Sequence, residues 1–101
     1  LIMIYSVNVK NHEEFEDLVY SKDLNISKVI VDKIFDNLET TKRFIYVLKI
    51  TIEEGDRIID LTLDRNDFID TLEKNIQIHA HHEEYERCAE IRDAIEKLKN
   101  K

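Results

Sequence analysis

The 101 residues suit one domain with a single modest core. With 22 acidic against 15 basic residues, the net charge is -7, which excludes a general nucleic-acid binder relying on a basic stripe to displace counterions. One glycine and no proline exclude the glycine-rich phosphate cradles of P-loop and dinucleotide-binding proteins.

The apolar run of residues 44–48, which no other run exceeds, falls far short of the ~20 residues that cross a bilayer, and no basic-then-apolar stretch marks a signal peptide. A single cysteine forms no internal disulfide, so no oxidising compartment is implied. The expected location is cytoplasmic, with no membrane partner.

In chain order, residues 2–9 alternate loosely, with Met3, Tyr5, Val7 and Val9 on one face, and predict a strand. Asn11 followed by Glu14 has capping-box spacing, and Phe15, Leu18 and Val19 give the next helix its apolar side. Residues 21–25 are polar and predict a loop. Ile26, Ile30, Ile34 and Leu38, flanked by Val31 and Phe35, recur at helical spacing, and that period outranks the weak helix propensity of Ile and Val.

Residues 44–63 predict a β-hairpin. Phe44, Tyr46, Leu48, Ile50 and Ile52 share one face, Gly55 sits at the turn, and Ile59, Leu61 and Leu63 share a face on the return. From Asp64 the period becomes helical, with Asp67 and Asp70 near a helix N-terminus and Ile69, Leu72 and Ile76 on a stripe. The stripe resumes at Tyr85, Cys88, Ile91, Ile95 and Leu98. The expected fold is α+β, a small antiparallel three-stranded sheet with helices, in the order β-α-α-β-β-α-α. Within this single domain, residues 1–66 form the α+β part and residues 67–101 a helical hairpin.

The segment HAHHEEYERCAEIRD, residues 79–93, holds three of the four histidines and the only cysteine. His79, His81, His82 and Cys88 are legitimate zinc ligands, but only His79 and His82 have the spacing that shares a helix face, which makes them weak metal candidates, while His81 points elsewhere. Cys88 falls on the apolar stripe, where a buried thiol is commonplace and lacks the solvent access a nucleophile needs. Paired carboxylates carry no signal where acids are this abundant. No catalytic residue, metal or cofactor is assigned, and a non-enzymatic protein is expected. The bend falls near residues 81–83, with Glu83 and Glu84 opening the second helix and Glu83–Arg87 and Asp93–Lys97 as acid-first pairs four residues apart.

Residues 69–98 carry Leu72, Ile76, His79-Ala80, a bend, then Tyr85-Glu86, Ala89, Ile91-Arg92-Asp93, Ile95 and Leu98. This pattern resembles the UVR motif of the bacterial UvrB and UvrC excision-repair proteins. Departures are Ile76 for the family's methionine, His79 and Cys88 for small residues, and Glu83 where an apolar residue is common. The resemblance implies a protein–protein module in which one helical hairpin packs on another.

A hairpin buries one side of each helix, and short isolated helices are marginal in water. Its stripe therefore docks on a partner or covers the chain's own sheet. The first expectation is an adaptor or regulator binding another protein through Leu72, Ile76, Tyr85, Arg92, Asp93, Ile95 and Leu98, with a second copy of the chain as a candidate partner. The second is an acidic mimic of nucleic acid that inhibits a DNA-handling enzyme. It would use Glu53, Glu54, Asp56, Asp60, Asp64, Asp67, Asp70 and Glu73, since helix carboxylates three residues apart are ~4.5 Å apart along the axis, near phosphate spacing.

Overall fold

The computed structural model describes residues 5–20 and 23–101, apart from the side chains of Val19 and Tyr20. The expected strand beginning at Ile2, the placing of Met3, the packing of Val19, and Ser21 and Lys22 of the expected loop lie outside the described residues. The elements are β1 (Ser6–Val9), α1 (His12–Tyr20), α2 (Leu24–Asp36), β2 (Phe44–Ile52), β3 (Arg57–Asp64), a 3₁₀ turn (Arg65–Asp67), α3 (Phe68–His81) and α4 (Tyr85–Lys99). The fold is α+β, in the expected element order.

The sheet is mixed, with strand order β1-β2-β3. β2 and β3 form the expected antiparallel hairpin, whereas β1 runs parallel to β2, pairing Ser6 with Lys49 and Val9 with Ile52. The expectation of a wholly antiparallel sheet is corrected here. The α1–α2 crossover returns the chain to the end where β1 began, the long connection that a parallel pair requires.

Local chemistry sets the helix starts. Asn11 Oδ1 accepts from Glu14 N–H at 2.9 Å, as a cap should, while the Glu14 carboxylate reaches back to Lys10 N–H at 2.6 Å. α2 starts at Leu24, earlier than the expected loop allowed. Asp23, in extended conformation, accepts from Ile26 N–H at 3.0 Å and caps the helix.

β2 departs from simple alternation. Tyr46 pairs with Thr62 and Leu48 with Leu61, so Val47 is an extra residue, a β-bulge. The bulge shifts the phase of the strand. Ile45 is buried before it, Val47 within it, and Leu48, Ile50 and Ile52 after it. Phe44 (59% exposed) and Tyr46 (36%) therefore face solvent instead of sharing the face of Leu48, Ile50 and Ile52. Val9 joins the buried side, with Val7, Ile59, Leu61 and Leu63 packed against it. The β2–β3 turn puts Gly55 at φ 82° and Asp56 at φ 51°, so glycine stands where a left-handed residue is required.

α2 lies on β2 and contacts α3, and α3 packs along α4. Val31 and Ile34 of α2, Phe68 and Leu72 of α3, and Ile91, Ala94 and Ile95 of α4 join the sheet in one core. Arg65 fastens the start of α3. Its Nε donates to Lys42 O at 2.6 Å, its Nη2 to Asn37 O and Thr40 Oγ1 at 2.9 Å, and its guanidinium lies 4.8 Å over the Phe68 ring. None of the helices among the described residues is long and apolar enough to cross a membrane.

Candidate functional site: the α3–α4 hairpin

The bend forms where expected, by a left-handed cap. Glu83 has φ 59°, its N–H donates to Ala80 O at 3.0 Å, and Glu84 N–H donates to His79 O at 2.9 Å. This pair of bonds closes α3 around a left-handed residue, a position usually filled by glycine. The expectation that Glu83 and Glu84 open the second helix is corrected. Glu83 is the turn residue, Glu84 the N-cap, and α4 begins at Tyr85.

α3 carries one fully buried stripe and one half-buried stripe. Phe68, Leu72, Asn75 and His79 are buried, while Ile69 and Ile76 are half-buried against the core. Asn75 is buried because Ser27 of α2 donates to its Oδ1 at 2.6 Å, while its Nδ2 donates to Thr71 O at 2.8 Å. The pair satisfies itself inside the α2–α3 interface, as buried polar groups must.

α4 is held against α2 by side chains at both ends. The Arg87 guanidinium pairs with Asp32 and lies 4.6 Å over the Phe35 ring. Lys28 bridges Glu84 at 3.3 Å, and Lys101 donates to Leu38 O at 2.6 Å. Arg87 thus serves Asp32, and at 3.5 Å Glu90, where sequence spacing suggested Glu83. Between α2 and α4 runs a shallow groove of about 250 Å³ lined by Phe35, Leu38, Glu90, Asp93, Ala94 and Lys97.

This docking settles where the expected partner-binding residues lie. Leu72 is fully buried and Ile95 is 9% exposed, while Ile76 and Leu98 are half-buried against the same core. Leu72 and Ile95 of the stripe therefore lie in the chain's own core, while Ile76 and Leu98 keep part of their surface. The cover comes chiefly from α2, which supplies the second surface that an isolated hairpin lacks. Tyr85 (65% exposed), Arg92 and Asp93 remain at the surface. Tyr85, Ala89 and Arg92 follow helical spacing along the outward face of α4, and all three are exposed.

His79 and His82 lie in different surroundings. His79 is 0% exposed, and neither ring nitrogen has a hydrogen-bond partner. Burial holds its pKa below the ordinary histidine value; Glu84 pulls it up, Arg87 and Lys28 push it down, and Asp32 pulls it up. His82 lies in solvent with its ring edge-on to His81 at 5.4 Å. Cys88 is buried, with Sγ 3.6 Å from the Ile76 carbonyl oxygen it faces. Among the described residues, no group of three or more His, Cys, Asp or Glu side chains could hold a metal ion.

The eight acids of the mimicry expectation are spread out. Glu53, Glu54 and Asp56 occupy the β2–β3 turn, and the eight residues of β3 separate them from Asp64 and Asp67 by about 25 Å. Asp64 caps the 3₁₀ turn by accepting from Asn66 N–H and lies 3.6 Å from Arg43. Asp60 accepts from the Tyr46 hydroxyl, Asp70 pairs with Lys74 at 3.1 Å, and Glu73 lies 4.0 Å from Lys99.

Sequence reasoning missed Ser27, Asn75 and Arg87 as the groups that fasten the hairpin. Asn75 lies three residues beyond Leu72 and four before His79, which is the one signal that could have found it. Comparison with family models, with curated proteins and with solved structures finds no match to this chain.

Proposed function

We propose that this chain is a non-enzymatic protein-interaction module that engages another protein through the outward face of α4. The observation that carries the reading is Tyr85, a large aromatic side chain 65% exposed at the tip of the hairpin and aligned with Ala89 and Arg92. Aromatic and arginine side chains are the usual energetic anchors of interfaces. The buried stripe beneath them keeps the helix rigid, so little ordering entropy is lost on docking.

The likeness of residues 69–98 to the UVR hairpin supports a docking role for this segment, with one difference from the family picture. The apolar stripe packs inward, so the contact falls to Tyr85, Arg92 and Asp93, whose charges set orientation. Regulation of the bound protein is the biological role this implies.

Site-specific photo-crosslinking tests it. A benzoylphenylalanine at position 85 should give a discrete crosslinked product in extracts of the source cells, lost on Arg92→Glu, while the same probe at Glu13 on α1 gives none. Equal products from both positions would remove the α4 face from consideration. Capture that disappears between low and moderate salt and survives Tyr85→Ala would instead favour the dispersed acids.

A further inference from the structure

We propose that His79 is a proton-operated latch, whose protonation releases the hinge end of the α3–α4 hairpin from α2. The imidazole is completely buried and both its nitrogens lack partners. It sits one helical turn beyond Asn75 on the buried face of α3, and its own carbonyl accepts the Glu84 N–H that closes the hinge. Side chain and bend are therefore one unit.

The charged groups around the ring are already committed to one another. Lys28 of α2 bridges Glu84 at the bend, and Arg87 of α4 pairs with Asp32 of α2. An imidazolium would thus enter a cluster of two cations and two carboxylates with no free acid to receive its N–H groups. A buried charge without a partner is strongly disfavoured. Opening the bend hydrates both nitrogens at once. The Ser27–Asn75 hydrogen bond keeps the preceding turn of α3 on α2, so the opening is confined to the last turn of α3, the bend and the first turns of α4.

The direction follows from burial, which holds the closed-state pKa below the ordinary value of 6.5. The open state binds the proton more tightly, so acid favours opening. Above about pH 6.5 the latch is insensitive; below it the open-to-closed ratio rises by up to about tenfold per pH unit until the buried ring itself titrates.

Cys88, buried in the first turns of α4, is a built-in reporter. Its labelling by an acid-competent pyridyl disulfide is measured from about pH 7.5 to about pH 5.5, each rate divided by that of the urea-unfolded chain at the same pH. The latch requires the ratio to climb steeply below pH 6.5 while far-ultraviolet circular dichroism stays native, and to lie flat in His79→Phe. A flat wild-type profile overturns it, as do an equal rise in His79→Phe or a rise that tracks loss of circular dichroism. If His79→Phe does not fold, the wild-type imidazole titration by NMR decides. A midpoint below that of a free imidazole sustains the latch, and one at or above it overturns it.

Discussion

Replacing Glu83 with glycine should stabilise this protein. Glu83 holds φ 59° to close α3, and a side chain bearing Cβ in that region costs roughly 1–2 kcal/mol. Glycine removes that cost but enlarges the unfolded ensemble, which takes back roughly 0.4–1 kcal/mol. The difference leaves about 0.5–1 kcal/mol, equivalent to about 2–5 °C in Tm for a domain of this length. Urea unfolding is the direct assay, with the midpoint moving up by about 0.5 M at unchanged slope. Glu83→Ala is the control, because it removes the carboxylate while keeping the strained Cβ. The two variants differ only in the backbone contribution. If glycine is no better than alanine, the bend is not strained at this residue, and the account of the hairpin turn fails.

Four further outcomes follow from the same packing. Leu72→Ala, at a fully buried position between helices and sheet, should cost about 2–5 kcal/mol, whereas Tyr85→Ala on the solvent face should change stability by less than about 0.5 kcal/mol in the same assay. Ser27→Ala strands Asn75 Oδ1 without its donor and should cost about 1–3 kcal/mol, while the double variant Ser27→Ala/Asn75→Leu recovers part of that loss in a double-mutant cycle. Tyr46, whose hydroxyl lies 2.5 Å from Asp60, has its pKa pushed up to about 12 by that hydrogen bond first; ultraviolet titration should show a late ionisation that returns towards 10 in Asp60→Asn and is lost in Tyr46→Phe. Global stability should be level above about pH 6.5 and fall as pH drops below it, because the unfolded chain takes up the proton that buried His79 resists; His79→Phe should flatten that part of the stability profile.

Much of this fold is legible in residue periodicity, because elements with one buried side announce it. The α2 stripe, the turn at Gly55 and the bend between α3 and α4 all occur close to their expected places. The bulge at Val47 was not legible. In residues 44–52 nearly every position is apolar, and the two polar ones, Lys49 and Thr51, face outward on either reading, so the phase shift leaves no polar residue out of place. The parallel pairing of β1 was equally hidden, since alternation reports faces and carries nothing about strand direction. At the candidate site, the stripe of Leu72, Ile76, Ile95 and Leu98 was visible but its partner was not. Whether an amphipathic hairpin meets its own chain or another depends on long-range contacts, here Arg87 with Asp32 and Ser27 with Asn75, which no local spacing encodes.

The pairing of Ser6 with Lys49 also carries a kinetic consequence. Hairpin β2–β3 and the helices after it close through short loops, whereas β1 must find an edge about forty residues away, at a larger entropic cost of closure. The N-terminal strand is thus the seam expected to zip last during refolding and to fray first in denaturant, leaving the hairpin of strands and its helices as the surviving nucleus.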